Sequence, residues 1–141
     1  MRIASLALLA LVAAAPSAGS LWLTPDRGGV VRIETCGPAL CGRIVGVSWK
    51  GGEMPPKDVN GQPQCEDLLL TGLMPEEDGR LHGHVRNPED GRVYGAEVWL
   101  AGDGDMRLRG YLGLPILGNT QHWTHYAGTP PAQDCRFDPV R

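Results

Sequence analysis

Asp78-Gly79-Arg80-Leu81-His82-Gly83-His84-Val85, then Asp90-Gly91-Arg92-Val93-Tyr94-Gly95-Ala96-Glu97-Val98-Trp99-Leu100, then Asp103-Gly104-Asp105-Met106-Arg107-Leu108-Arg109-Gly110-Tyr111-Leu112: each piece of this stretch opens on Asp-Gly and continues as a run with strand character. Pro75-Glu76-Glu77-Asp78-Gly79-Arg80 and Pro88-Glu89-Asp90-Gly91-Arg92 share more than the turn. Turn signals every 12 or 13 residues between apolar-alternating runs predict an antiparallel meander.

The turns allow a register to be set. A four-residue loop at Pro88-Glu89-Asp90-Gly91, with Gly91 at positive φ, puts Asn87 opposite Arg92, Val85 opposite Tyr94, Gly83 opposite Ala96 and Leu81 opposite Val98. A three-residue loop from Gly102 to Gly104, flanked by Ala101, is read as placing Leu100 opposite Leu108, Val98 opposite Gly110 and Ala96 opposite Leu112. A single apolar face results, which a one-residue slip would break by setting Arg107 against Leu100. The other face carries a polar row: Trp99 between Arg80 and Arg109, and Glu97 between His82 and Tyr111. Arg over Trp and Glu beside His and Tyr are ordinary cross-strand partners. The plain reading is an outer, solvated face, and a recognition patch is the sharper one.

Upstream, Leu21-Trp22-Leu23-Thr24 reads as a first strand. Val30 to Thr35 and Gly42 to Trp49 form a hairpin around Cys36-Gly37-Pro38-Ala39-Leu40-Cys41. Lys50 to Gln64, with three Pro and three Gly, is a long loop. The run Leu68-Leu69-Leu70 fits a strand or one helical turn. After the apolar link Leu114-Pro115-Ile116-Leu117-Gly118, the last crossing is Gly118 to Tyr126, and a Pro-rich tail follows from 127 to 141. The fold class is therefore all-β. About eight strands with short hairpins close into a small antiparallel up-and-down barrel, which leaves no exposed sheet edge.

Residues 1–18 have the form of a secretory signal peptide, with Arg2, an apolar run from Ile3 to Ala15, and small residues after it. The rest, 19–126 plus the tail, is one domain. Twenty Gly and twelve Pro among 141 residues favour turns over long helices. A formal charge of −3 without a basic stripe argues against nucleic acid, and there is no membrane span after signal cleavage. The expected location is periplasmic or secreted, where four Cys suggest disulfides. Of three possible pairings, Cys36–Cys41 and Cys65–Cys135 are favoured: the first closes a small loop, the second ties the tail to the body.

No nucleophile elbow, phosphate loop or dinucleotide fingerprint occurs, so no cofactor and no enzyme are expected. His82-x-His84 has a spacing some metal sites use, but two surface His is the simpler reading. His122 and His125 lie on opposite faces of their strand.

Cys36-Gly37 with Leu40-Cys41-Gly42-Arg43-Ile44-Val45, Asn87-Pro88-Glu89-Asp90-Gly91-Arg92-Val93-Tyr94, Leu108-Arg109-Gly110-Tyr111 and Gln121-His122-Trp123-Thr124 together resemble the bacterial exported family "domain of unknown function 2147". The resemblance runs from Trp22 to about Tyr126 and implies a lipocalin-like β-barrel, with no activity and no catalytic residue. Three features depart from the family pattern: the extra residue in Gly19-Ser20-Leu21-Trp22, His125 in place of Arg, and the added pair Cys65 and Cys135. The closure typical of such barrels, a first-strand Trp under a basic residue from the last strand, falls here on Trp22 and His125. An imidazole is shorter than an Arg and mostly neutral at pH 7.

The function this suggests is binding of a small apolar or amphipathic ligand inside the barrel, with Trp22, Trp49, Tyr94 and Leu108 as lining candidates. The alternative is an envelope interaction or stress-related structural protein with a filled barrel, whose protein partner would meet the polar row or the Lys50–Gln64 loop. A cavity of several hundred Å³ would favour the first.

Overall fold

The computed structural model describes residues 14–50, 52–114 and 118–138. The core of the expected signal peptide and the apolar stretch 115–117 lie outside them. Eight strands follow in chain order: β1 (Leu21–Leu23), β2 (Gly29–Cys36), β3 (Ala39–Val47), β4 (Leu68–Pro75), β5 (Leu81–Arg86), β6 (Val93–Leu100), β7 (Met106–Tyr111) and β8 (Asn119–His125). Each pairs antiparallel with the next, and β8 returns to β1, closing an all-β barrel. The triple-Leu run becomes the start of β4.

The three Asp-Gly turns share one local construction. Gly79, Gly91 and Gly104 all adopt positive φ, between 75° and 81°. In each, the Asp Oδ1 accepts the backbone N–H two residues on: Arg80 at 2.9 Å, Arg92 at 2.8 Å and Asp105 at 2.9 Å. This short side chain stands in for a backbone turn, and the Gly after it takes the conformation other residues resist.

The β5–β6 register is as expected, from Leu81 opposite Val98 to Val85 opposite Tyr94. The β6–β7 register is not. Leu100 faces Met106, Val98 faces Leu108 and Ala96 faces Gly110. The loop does close between Ala101 and Asp105, whose N–H to O bond is 3.0 Å. A ladder counted outward from that pair reaches Met106 next, so the expected pairing was two residues too far along. A two-residue shift keeps every side chain on its face. It does change neighbours: Trp99 sits opposite Arg107, Glu97 opposite Arg109, and Gly95 opposite Tyr111.

The Cys36–Cys41 hairpin is also tighter than expected. Cys36 pairs with Ala39, leaving a two-residue turn of Gly37 and Pro38, so the disulfide ties neighbouring strands. Bulges bend the wall at Val45 of β3, opposite Val30 and Val31, and between Thr71 and Met74 in β4. At the second, β4 comes so close that a Cβ on Gly83 would lie 2.4 Å from Thr71 O.

One half of the interior is solid. Trp22, Val31, Ile33, Leu70, Leu73, Val98 and Met106 are buried in a single cluster, roofed by Leu108 and Trp123. Residues ahead of β1 cross this end: Ala14 O accepts the Leu100 N–H at 2.8 Å, and Gly19 N–H bonds Ile33 O at 2.7 Å. Gly42 belongs here because a Cβ would meet Leu70 Cδ1 at 2.9 Å and Val31 Cγ1 at 3.0 Å.

The seam is short. Only Trp22–His125 and Leu23–Thr124 pair across β1 and β8. The tail crosses it on the outside. Tyr126 N–H bonds Leu21 O at 2.9 Å, Phe137 packs on Leu23 and Val30, and Val47 N–H bonds Cys135 O at 2.7 Å. Cys135 then joins Cys65 just before β4. Both favoured disulfides are present, consistent with a protein that resides outside the cytoplasm.

Candidate functional site

The other half of the barrel is open. A cavity of about 680 Å³ lies above Leu108 and Trp123, at the end formed by the β1–β2, β3–β4, β5–β6 and β7–β8 connections. Its wall is apolar where strands provide it: Ile44, Val47, Leu69 and Val85, with Tyr94 entering from β6. Its mouth is polar: Thr24, Asp26, Gln64, Asn87 and Glu89 come from the connections, and Arg86 and Asn119 from the strand ends beside them. Gly110 makes room inside, since a Cβ there would meet only Val85 Cγ1, at 3.6 Å, among the described residues. The Cys65–Cys135 disulfide backs this wall, as Ile44, Val47 and Leu69 both line the cavity and pack against it.

Of the four expected lining residues, Tyr94 and Leu108 line the cavity. Trp22 does not. It is fully buried in the floor, its Nε1 donates to Ser20 Oγ at 2.9 Å, and the His125 ring covers it with centroids 3.9 Å apart. The shorter imidazole still closes the seam, because β8 brings it directly opposite Trp22. Trp49 does not line the cavity either: it packs beside the Cys65–Cys135 cluster, with the Arg136 guanidinium 5.6 Å from its ring. It falls just past the end of β3, where alternation no longer sets direction. Sequence reading missed Gln121, Trp123 and Gly110. The alternation of β8 carried the signal, since Trp123 and every second residue from it face inward.

The polar row runs along the outer wall of β5–β8 at the closed end. Arg80 stacks 3.7 Å over Trp99 and bonds Glu97 Oε2 at 3.2 Å. Glu97 is only 7% exposed although it faces outward, because Arg80 and His82 cover it. His82 Nε2 meets Asp78 Oδ2 at 2.8 Å. The row continues through Arg107–Asp103 at 2.7 Å, His122–Asp105 at 2.8 Å and Arg109–Thr120 at 2.8 Å. Tyr111 is set apart from Glu97 and lies over Gly95.

Arg107 and the Asp105 N–H hold the Asp103 carboxyl below the usual Asp range. Partial burial opposes, and the Arg80 N–H and His82 outweigh it, so Asp78 is also lowered. Two sets, Asp78–His82–Glu97 and Asp103–Asp105–His122, bring a His and two carboxylates together. In each set an Arg holds one of the carboxylates, which compensates charge a cation would otherwise supply. His84 belongs to neither set.

A closed eight-stranded antiparallel barrel, filled at one end and cupped at the other, is a lipocalin-like fold. The chain shares it with a solved structure described as "Protein HP1028 from the human pathogen Helicobacter pylori belongs to the lipocalin family". The TM-score is 0.63 at 14% identity, over 79% of this chain and 84% of that one. The likeness speaks for the fold alone. Residues 20–125 match the family described as "Uncharacterized protein conserved in bacteria (DUF2147)", and the chain belongs to that family. Among proteins of curated function, none is similar to it. Among the described residues, no helix is long and apolar enough to cross a membrane.

Proposed function

We propose that this protein is an exported carrier or sensor that binds a small apolar or amphipathic ligand in the cup. The observation that carries this reading is the cavity itself. About 680 Å³ falls in the range of small-molecule sites, and its apolar wall under a polar mouth suits a ligand with an apolar body and a polar end. The periplasmic or secreted location belongs to this proposal and is supported by the two disulfides, and the leader at 1–18 is proposed from the sequence alone. The proposed role is binding: the polar row lies on the outer wall, away from the cup, and its charged groups pair chiefly with one another.

Two measurements test it. Native mass spectrometry of protein recovered from its own envelope should show a bound small molecule, and a fluorescent apolar probe should enter the emptied cup. Gly110→Leu fills the cup from β7 without positive-φ strain, so probe affinity should drop by roughly tenfold or more while stability changes by about 1 kcal/mol or less. An empty protein that also rejects the probe would end the proposal.

A further inference from the structure

The closed end of the barrel is finished by residues that sequence reading gives to the leader. Ser17-Ala18-Gly19-Ser20 forms a turn, in which Ser17 O accepts the Ser20 N–H at 3.1 Å and the Ser20 hydroxyl as well. Gly19, third in the turn, has φ 89°, the conformation a type II turn demands there and glycine supplies. From the turn onward the backbone is locked to β2: Gly19 N–H bonds Ile33 O at 2.7 Å, and Ile33 N–H bonds Ser20 O at 3.0 Å. Ahead of the turn, Pro16 is fully buried. Ala14 O then accepts the Leu100 N–H at 2.8 Å, two residues beyond Val98, where the β5–β6 ladder stops. β2 and β6 are four strands apart in a barrel of eight, so this short segment crosses the closed end from one side to the other.

We propose that the leader is cut ahead of Pro16, within Ala13-Ala14-Ala15-Pro16, and that Pro16 to Ser20 stays with the mature barrel as the plug of its closed end. This rests on the exported reading above and moves the leader boundary back from residue 18. A leader is removed from an extended chain during export, so folding protects none of these bonds; what the fold shows is which residues it uses. A cut after Ser17 or Ala18 would take Pro16 out of its buried position and split a turn whose glycine already stands at the required place. Local chemistry that agrees with the global packing in this way belongs to the folded domain, and a discarded leader has no use for it. Ala13-Ala14-Ala15 still provides the small residues that processing requires on the leader side of the bond. Hydrolysis of that one peptide bond takes up a water molecule, leaving the leader with a terminal carboxylate and the barrel with a terminal amino group.

The test is the intact mass of the full chain after export by a bacterial host, with its disulfides formed. A mature protein that begins at Ala14, Ala15 or Pro16 is the expected result. One that begins at Ala18 or Gly19 overturns the proposal and leaves the leader reading standing. One that keeps Met1 removes the leader reading and the proposal together. A second measurement asks whether the retained segment is a plug. A chain shortened to begin at Gly19 should melt at least about 3 °C below one that begins at Ala14, or fail to fold. Equal melting of the two would show that Pro16 and the Ala14–Leu100 bond hold nothing together, and the plug would fall.

Discussion

At the level of single residues, two glycines divide the barrel interior between filling and space. Gly42 is where floor side chains of β2 and β4 meet across β3. Gly42→Ala pushes a methyl into Leu70 and Val31, and overpacking of this kind costs about 1–3 kcal/mol. Denaturant titration should show it as a lower midpoint with an unchanged slope. Gly110, four strands along the barrel in β7, has the opposite surroundings, and a larger side chain there enters the cavity. Neither distinction was readable from the sequence, where both are simply Gly within strand-like runs. The turn glycines were readable: Gly91 at positive φ follows from Asp-Gly between alternating runs. The direction of Trp22 and Trp49 was not, because apolar character says that a side chain is buried but not in which cluster.

At the level of elements, the β5–β8 wall carries its polarity outward as a chain of ion pairs anchored in two turns. The β4–β5 and β6–β7 turns each use both oxygens of one Asp, Asp78 and Asp103. In Asp103, Oδ1 shapes the turn and Oδ2 holds Arg107 of the next strand. The depressed Asp103 pKa gives a direction for pH dependence. An acid lowered in the folded state adds stability that is fully present above its unfolded value and is lost as pH falls through the folded value. Asp103→Asn should therefore lower the thermal midpoint at pH 7 and converge with the parent near pH 2, which a pH series of melts would show. Faces and strand order in this wall were legible from the alternation alone. Exact cross-strand partners required the loop geometry: the three-residue turn was recognised, but its ladder has to be counted from Ala101–Asp105, and that count gives Glu97 the neighbour Arg109 in place of Tyr111.

At the level of the whole molecule, the two disulfides do different work. Cys36–Cys41 closes a loop of a few residues within one hairpin, while Cys65–Cys135 spans a sequence separation of 70. On the loop-entropy account, removing the short one costs about 2 kcal/mol and the long one about 4 kcal/mol. Guanidinium titrations of Cys36→Ser/Cys41→Ser and Cys65→Ser/Cys135→Ser should preserve that order. The long-range variant should also lose probe affinity, because its sulfurs back Ile44, Val47 and Leu69 in the cup wall. The barrel class and the pairing of the cysteines were within reach of the sequence. The cup was not, since its volume depends on how far the floor cluster fills a shared interior, a property of eight strands together.

The tail that crosses the β1–β8 seam has a consequence for damage to the chain. Every peptide bond between Cys65 and Cys135 lies inside a covalent ring, including those of the β7–β8 connection that carries Leu112 and Leu114. A protease that cuts between the exposed Leu112 and Leu114 opens the backbone but releases nothing. The nicked protein stays one molecule until a reductant separates its pieces, and in an oxidising compartment it can keep its barrel, and whatever the barrel holds, after it has been cut.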